Sequence, residues 1–313
     1  MRTTFIETLT AMAADDPSLY LLAGDVGYSV FEGFAARYPD RFLNLGIAEG
    51  NLIGVAAGLA LSGKNVYVYS MVPFITMRCY EQIRVDLCYQ EANVKIVGVG
   101  GGLSYGAAGA THHAIEDIAI MRVLPNMIVI CPGDPVEAEF ATREASRHTG
   151  PVYIRLGKNG EPKIHHDRGG LSLGRASLLR DGNDLTLIAT GNLLETAVAA
   201  AASLATDGIE ARLLSMHTIK PLDADAVAEA AARTGLIFTL EEHNVIGGLG
   251  SAVAEILAEA EGPRARLCRI GIRDAYCKEI GDHDYLRAKS RLSAAQICAA
   301  IRRQIAAKKG GER

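Results

Sequence analysis

Short apolar runs alternate along this chain with stretches of helical spacing. Leu19–Gly24 (LYLLAG), Val66–Tyr69, Val94–Val99, Met127–Ile130 and Val152–Arg155 read as strands. Near-continuous apolar runs of this length fit strands covered on both faces. Between them, Thr4–Ala14 carries apolar residues at helical spacing, and Thr76–Gln90 and Pro135–Ser146 are amphipathic. Ala48–Leu61 is small and apolar all round, which predicts a buried helix. Such alternation predicts βαβ units and a largely parallel sheet.

The pattern stops at Gly157–Asn183 (GKNGEPKIHHDRGGLSLGRASLLRDGN), which reads as a connection, and then resumes. Asp184–Ala189, Glu210–Ser215 and Leu236–Leu240 are predicted strands. Leu193–Thr206, Ala224–Thr234, Gly248–Ala260 and Leu292–Ala307 are predicted helices, and the tail KKGGER is expected to fray. The expected fold class is α/β in two domains, each a largely parallel sheet flanked by helices. Residues 1–157 form the first domain, 158–183 the connection and 184–313 the second, an arrangement that suits 313 residues.

Composition narrows the function classes. The formal net charge is −4 and no basic tract interleaves with aromatics, which argues against a nucleic-acid binder. The longest apolar stretch, Asn51–Gly63, is too short and Gly-rich to span a bilayer. The N-terminus has no apolar leader, so a cytoplasmic protein is expected. Cys79, Cys88, Cys131, Cys268, Cys277 and Cys298 form no C-x-x-C pair, and read as small buried hydrophobes.

Polar residues where chemistry is possible fall into four clusters. Asp25–Ser29 (DVGYS) follows the first strand, where loops line the crevice of a parallel sheet. Gly46–Asn51 (GIAEGN) puts Glu49 at the start of an apolar helix. There it serves as a helix-start acid or, given its dry surroundings, in proton work. Gly100–His113 (GGGLSYGAAGATHH) is a Gly-rich loop with two histidines, suited to covering a ligand. In a plainer reading, His112 caps a helix over Ala114–Met121. Glu241–Gly250 (EEHNVIGGLG) fits a phosphate turn at a helix N-terminus or simply tight strand-to-helix packing.

In this order the clusters resemble the C-terminal half of transketolase. The resemblance rests on Gly24–Asp25, NLGIAEGNLIGVAAGLAL at Asn44–Leu61, YEQIR at Tyr80–Arg84, GATHHAIEDIAIMRVLPNMIVICPGDP at Gly109–Pro135, PVYIRLG at Pro151–Gly157 and EEHNVIGGLGSAV at Glu241–Val253. It implies a pyrimidine-binding domain of a thiamine-diphosphate enzyme followed by the transketolase C-terminal domain. It also implies transfer of a two-carbon ketol unit from a ketose, expected to be phosphorylated, to an aldose. By the same resemblance Glu49 is the acid that shares a proton with the aminopyrimidine ring. Phe74 packs against that ring, with Met71 and Met77 where the family carries further aromatics, and Asp25 belongs to the cofactor site. His112 is matched to the histidine at the substrate carbonyl. Arg2, 23 positions before Asp25 as in the family, joins Ser29 and Arg155 as the grip on a substrate phosphate.

The family binds diphosphate and metal through G-D-G followed by Asn, and this chain contains no G-D-G. The resemblance therefore implies a partner subunit that carries those Mg²⁺ ligands, and an α2β2 heterotetramer. Two departures concern specificity. The family loop reads G-E-D-G-x-T-H, whereas Ala108 stands here in place of the Asp, and Gly100 in place of an earlier histidine. These losses imply room for a bulkier or less hydroxylated sugar. The β subunit of a 2-oxo-acid dehydrogenase shares Glu49 and the Gly turn but normally lacks the G-A-T-H-H loop. A non-catalytic paralogue that keeps the fold is the remaining alternative.

Overall fold

The computed structural model describes residues 1–311. Its strands are β1 (Leu19–Ala23), β2 (Phe42–Asn44), β3 (Asn65–Met71), β4 (Val94–Val99), β5 (Ile128–Ile130), β6 (Val152–Leu156), β7 (Ser177–Arg180), β8 (Leu185–Ala189), β9 (Ala211–Ser215), β10 (Thr218–Lys220), β11 (Leu236–Asn244) and β12 (Arg266–Ile272). They form a seven-stranded sheet in the order β10-β5-β6-β4-β3-β1-β2 and a five-stranded sheet in the order β12-β11-β8-β9-β7. All pairings are parallel except β10 with β5 and β7 with β9.

Helices cover both faces of the first sheet. Arg2–Asp15 packs with Pro135–Arg147 on one side, and Glu49–Leu61 packs against β3 on the other. Pro135–Arg147 begins where its sequence says it should. Asp134 accepts the Glu137 amide at 2.8 Å, and Pro135 fills a position that needs no N–H donor. Apolar packing is continuous through the junction. Met127 and Val129 of the first sheet share a cluster with Met216, Ile219, Val227 and Ile237 of the second half.

Several expectations need correction. The connection is not free of structure, since β7 lies within it and pairs with β9. Strand β10 comes from the second half of the chain yet joins the first sheet, so the two halves interlock. The Glu49–Leu61 helix is buried on one face only, with Asn51, Gly54, Gly58 and Leu61 exposed on the other. The expected amphipathic helix after β3 runs over Phe74–Tyr89, but it contains wide π turns at Phe74–Arg78 and Ile83–Tyr89. The last helix continues to Gly311, through residues expected to fray; Glu312 and Arg313 lie outside the described residues. All six cysteines are free. Cys79, Cys88, Cys131 and Cys298 are buried, while Cys268 and Cys277 are partly exposed, contrary to expectation.

Candidate active site

From β1 the chain moves outward to β2 and then returns to the other side of β1 as β3. Loops leave in opposite directions there, which opens a crevice at the C-terminal ends of the strands. Asp25 follows β1, and Met71 closes β3. The Gly-rich loop follows β4.

Glu49 starts its helix from Ala48 and is only 3% exposed. A carboxylate there is favoured by the amide N–H groups of the first turn. Its charged partner is Arg78, whose Nη1 lies 3.3 and 3.2 Å from the two carboxylate oxygens. Arg78 is 50% exposed, so it reaches inward from the surface. Its guanidinium also lies 4.1 Å from the centroid of the Phe74 ring. Phe74 opens a π turn, a distortion that often re-aims side chains at working sites. Cys79, next to this group, is chemically quiet. Burial first, then the Glu49 charge, push its thiol up to about 12.

His112 completes the group. It stands half-buried on the Ala110–His112 turn, its ring edge-on to Phe74 at 5.2 Å. Its Nδ1 is 3.0 Å from the Thr111 hydroxyl. The following helix begins only at Asp117, so His112 does not cap it. Glu49, Arg78, Phe74 and His112 thus form one chain of contacts.

Tyr105 extends this chain. Its ring centroid is 6.4 Å from that of His112, and the Lys158 ammonium is 4.8 Å from the Tyr105 centroid. Burial raises the Tyr105 phenol, and the nearby charge of Arg2 pulls it back. Gly100, at φ +86°, has the Tyr105 ring where a Cβ would project. The room expected from the loss of a histidine at Gly100 is therefore filled by Tyr105.

Other predicted residues lie apart or have different roles. Arg2 does not fray: it begins the Arg2–Asp15 helix, and the terminal amine before it pairs with Glu161 at 3.0 Å. Asp25 is exposed, and its Oδ1 accepts from the Asn44 side chain at 3.1 Å. Ser29 is exposed and donates its amide to Glu32 at 2.8 Å; among the described residues no hydrogen bond joins it to Arg2 or His112. Met71 is half-buried, and Met77 lies on the surface.

Arg155 is bonded mostly to the protein itself. It is 2% exposed, and its Nε donates to Asp117 at 2.7 Å. Its Nη2 donates to the carbonyls of Ala114 and Glu242 at 2.8 and 3.0 Å. Nε and Nη2 are thus committed to the protein, which leaves Nη1, without a hydrogen bond among the described residues, for the expected phosphate contact. The Glu241–Gly250 turn is also self-contained. Glu241 accepts the Leu249 and Gly250 amides at 2.7 and 2.8 Å, so the helix start that suggested phosphate holds a carboxylate of the chain itself.

Arg78, Tyr105 and Lys158 were missed. The spacing of Phe74 and Arg78, four apart on a helical segment, was a readable signal for the first. Lys158, just past the end of β6 at the crevice rim, was a weaker one. Among the described residues no group of three or more His, Cys, Asp or Glu is placed to hold a metal.

Comparison with known proteins places this geometry. Residues 1–162 match the transketolase pyrimidine-binding domain, and residues 174–297 match the transketolase C-terminal domain. The chain is 40% identical to a 6-deoxy-6-sulfo-D-fructose transketolase subunit of Clostridium sp. (strain MSTE9), over 95% of this chain and 92% of that protein. It is 42% identical to an apulose-4-phosphate transketolase subunit of Phocaeicola vulgatus, over 84% of this chain and 85% of that one. A solved split gene transketolase, described as an inactive beta4 tetramer, superposes with a TM-score of 0.88 at 38% identity, covering 96% of this chain and 97% of that one. Against 1-deoxy-D-xylulose-5-phosphate synthase of Desulforudis audaxviator, 36% identical, the chain spans only 46% of the relative's length. On these matches and this fold, the chain belongs to the transketolase family.

Proposed function

We propose that this chain is the C-terminal subunit of a split transketolase, moving a two-carbon ketol unit from an anionic ketose to an aldose once joined to an N-terminal subunit. The observation that carries this is the contact chain Glu49–Arg78–Phe74–His112 at the sheet crevice.

The residues fit the aminopyrimidine of thiamine diphosphate. Arg78 presents a flat, N–H-bearing group to the Glu49 carboxylate and to the face of Phe74. An aminopyrimidine asks for the same two things: an acceptor for its N–H and an aromatic surface. Bound there, thiamine diphosphate would supply the carbanion-stabilising chemistry that no side chain offers. Glu49 would hold and return a proton at the ring nitrogen, in a pocket dry enough to keep that proton from water. Phe74, with Met71, Met77 and Asp25, would hold the ring. Arg78, half-exposed, would swing out as the ring takes its place at the Glu49 carboxylate.

His112 would move a proton at the substrate oxygen, a reading its contact with Phe74 supports. We assign the anionic end of the substrate to Arg2, Ser29 and Arg155, with Lys158 beside them at the rim of the crevice. Relatives named for a sulfonated and a phosphorylated sugar suit this, since both substrates carry an anion. The Mg²⁺ ligands would lie on the partner, and the assembly would be an α2β2 heterotetramer. Six free thiols suit a reducing, cytoplasmic setting.

Co-purification with an N-terminal subunit, followed by mass spectrometry of products from a panel of anionic ketoses and aldoses, tests the reading. Products shifted by two carbons that require both chains are expected. A stable complex that binds thiamine diphosphate yet transfers nothing would overturn the reading.

A further inference from the structure

The Gly100–His113 loop carries Tyr105 and His112 on two short turns, Gly106–Ala108 and Ala110–His112, that hold it only locally. Gly100, Gly102 and Gly109 take positive φ angles, and one bridge, between Gly102 and Ala114, ties its ends. Ordering such a backbone costs about 1–2 kcal/mol per residue. Besides the turns and the bonds of Gly100 and Gly101 to the Leu156 carbonyl, the contacts that oppose this cost come from the second domain.

They converge on Glu242 of β11, which is 1% exposed. Its Oε1 accepts the Leu103 amide at 2.6 Å and lies 2.7 Å from His283 Nε2. Its Oε2 accepts Arg287 Nε at 2.6 Å. Arg287 also donates to the Asn192 carbonyl at 2.7 Å, and Asn192 Nδ2 donates to the Gly101 carbonyl and the Ser104 hydroxyl, both at 2.9 Å. The fit is close. A Cβ on Gly102 would collide with the Glu242 carboxylate, and one on Gly106 with the Gly281 carbonyl. Arg155, bonded to the Glu242 and Ala114 carbonyls, clamps the base of the loop. A cavity of about 670 Å³ beside the loop is lined by Ser104, Gly106, Lys158, His283 and Arg287.

We infer that Glu242 is a positioning residue: from the second domain it seats the Gly100–His113 loop and sets where Tyr105 and His112 stand over the crevice. The second domain then contributes to turnover without touching substrate. The kinetic part of this inference rests on the function proposed above; the structural part does not.

Amide hydrogen exchange on the full chain tests the structural part. Glu242→Ala should speed exchange across residues 101–114 at least about tenfold, while the Glu49–Leu61 helix keeps its protection. His283→Gln, which keeps a donor toward Oε1, should leave the loop within about twofold of wild type. In the two-subunit enzyme, Glu242→Ala should lower kcat about tenfold or more, as expected when reacting groups are misplaced by an ångström or less. The Kd for thiamine diphosphate should stay within about twofold. Unchanged loop exchange in Glu242→Ala would overturn the inference, and so would equal losses in kcat and in cofactor affinity. Should Glu242→Ala fail to fold, Glu242→Gln carries the same test, since either rotamer turns an NH2 group toward a donor. A wild-type assembly without ketol transfer would remove the proposed function and leave the exchange result to decide the latch.

Discussion

Glu49 and Glu242 are both buried carboxylates in polar clusters, and they differ in what remains to be bonded. Glu242 is surrounded by a backbone amide, a histidine and an arginine, and these hold its carboxyl down at about 2 despite burial. Glu49 has one charged partner, a half-exposed arginine at 3.2 Å. The arginines differ in the same way. Arg155 is buried and bonded to Asp117 and two carbonyls, whereas Arg78 lies between solvent and the crevice. A saturated carboxylate ties the junction between the domains, and a carboxylate with spare bonding capacity marks the candidate site.

Substitutions sharpen this contrast. The largest effect should come from Arg155→Ala, which leaves Asp117 charged and buried. It should cost about 3–5 kcal/mol in chemical denaturation; a loss below 1 kcal/mol would mean that the pair is not structural. Acid comes next. The folded-state value of Glu242 lies below the ordinary 4.5, so its contribution is complete above that pH and drains away as the pH falls toward 2. Stability should drop over this range by roughly 3 kcal/mol more in wild type than in Glu242→Gln; parallel curves would contradict the latch. His112→Ala should lower kcat about a hundredfold, with an unchanged melting temperature. Unchanged kinetics would give His112 a purely structural role. Arg78→Ala should cost about 1–3 kcal/mol, because it leaves the buried Glu49 carboxylate without its charged partner; an unchanged stability would mean that Glu49 does not depend on the pair. A small, specific effect is expected for Ala108→Asp, a shift in preference toward more hydroxylated donors; an unchanged preference would remove Ala108 from the account of specificity.

The elements legible in the sequence were those whose burial shows locally. Strands β3, β4 and β6 are apolar runs because helices cover both of their faces. Strand β10 was illegible: three residues from the second half pair with β5, about ninety positions earlier, and no local pattern marks such a meeting. Strand β12 hides behind its two arginines, and β7 behind a run of Gly and Arg. The same limit applies to the site. Glu49, Phe74 and His112 stand in motifs, and the structure brings them together. The ion pair of Arg155 was illegible because Asp117 is a partner 38 positions away that spacing does not reveal. Tyr105 was passed over because a glycine five positions earlier makes room for it only once the loop has folded.

The central claim is that Glu49 performs proton work at a bound aminopyrimidine and is more than a helix-start acid. The direct measurement is ketol transfer by the two-subunit enzyme with Glu49→Gln, alongside thermal unfolding of the same variant. The amide keeps the shape and loses the titratable proton. Turnover should fall below about 1% of wild type, with melting unchanged and the complex intact. Retention of more than a few per cent of activity in a folded, assembled variant would contradict the claim.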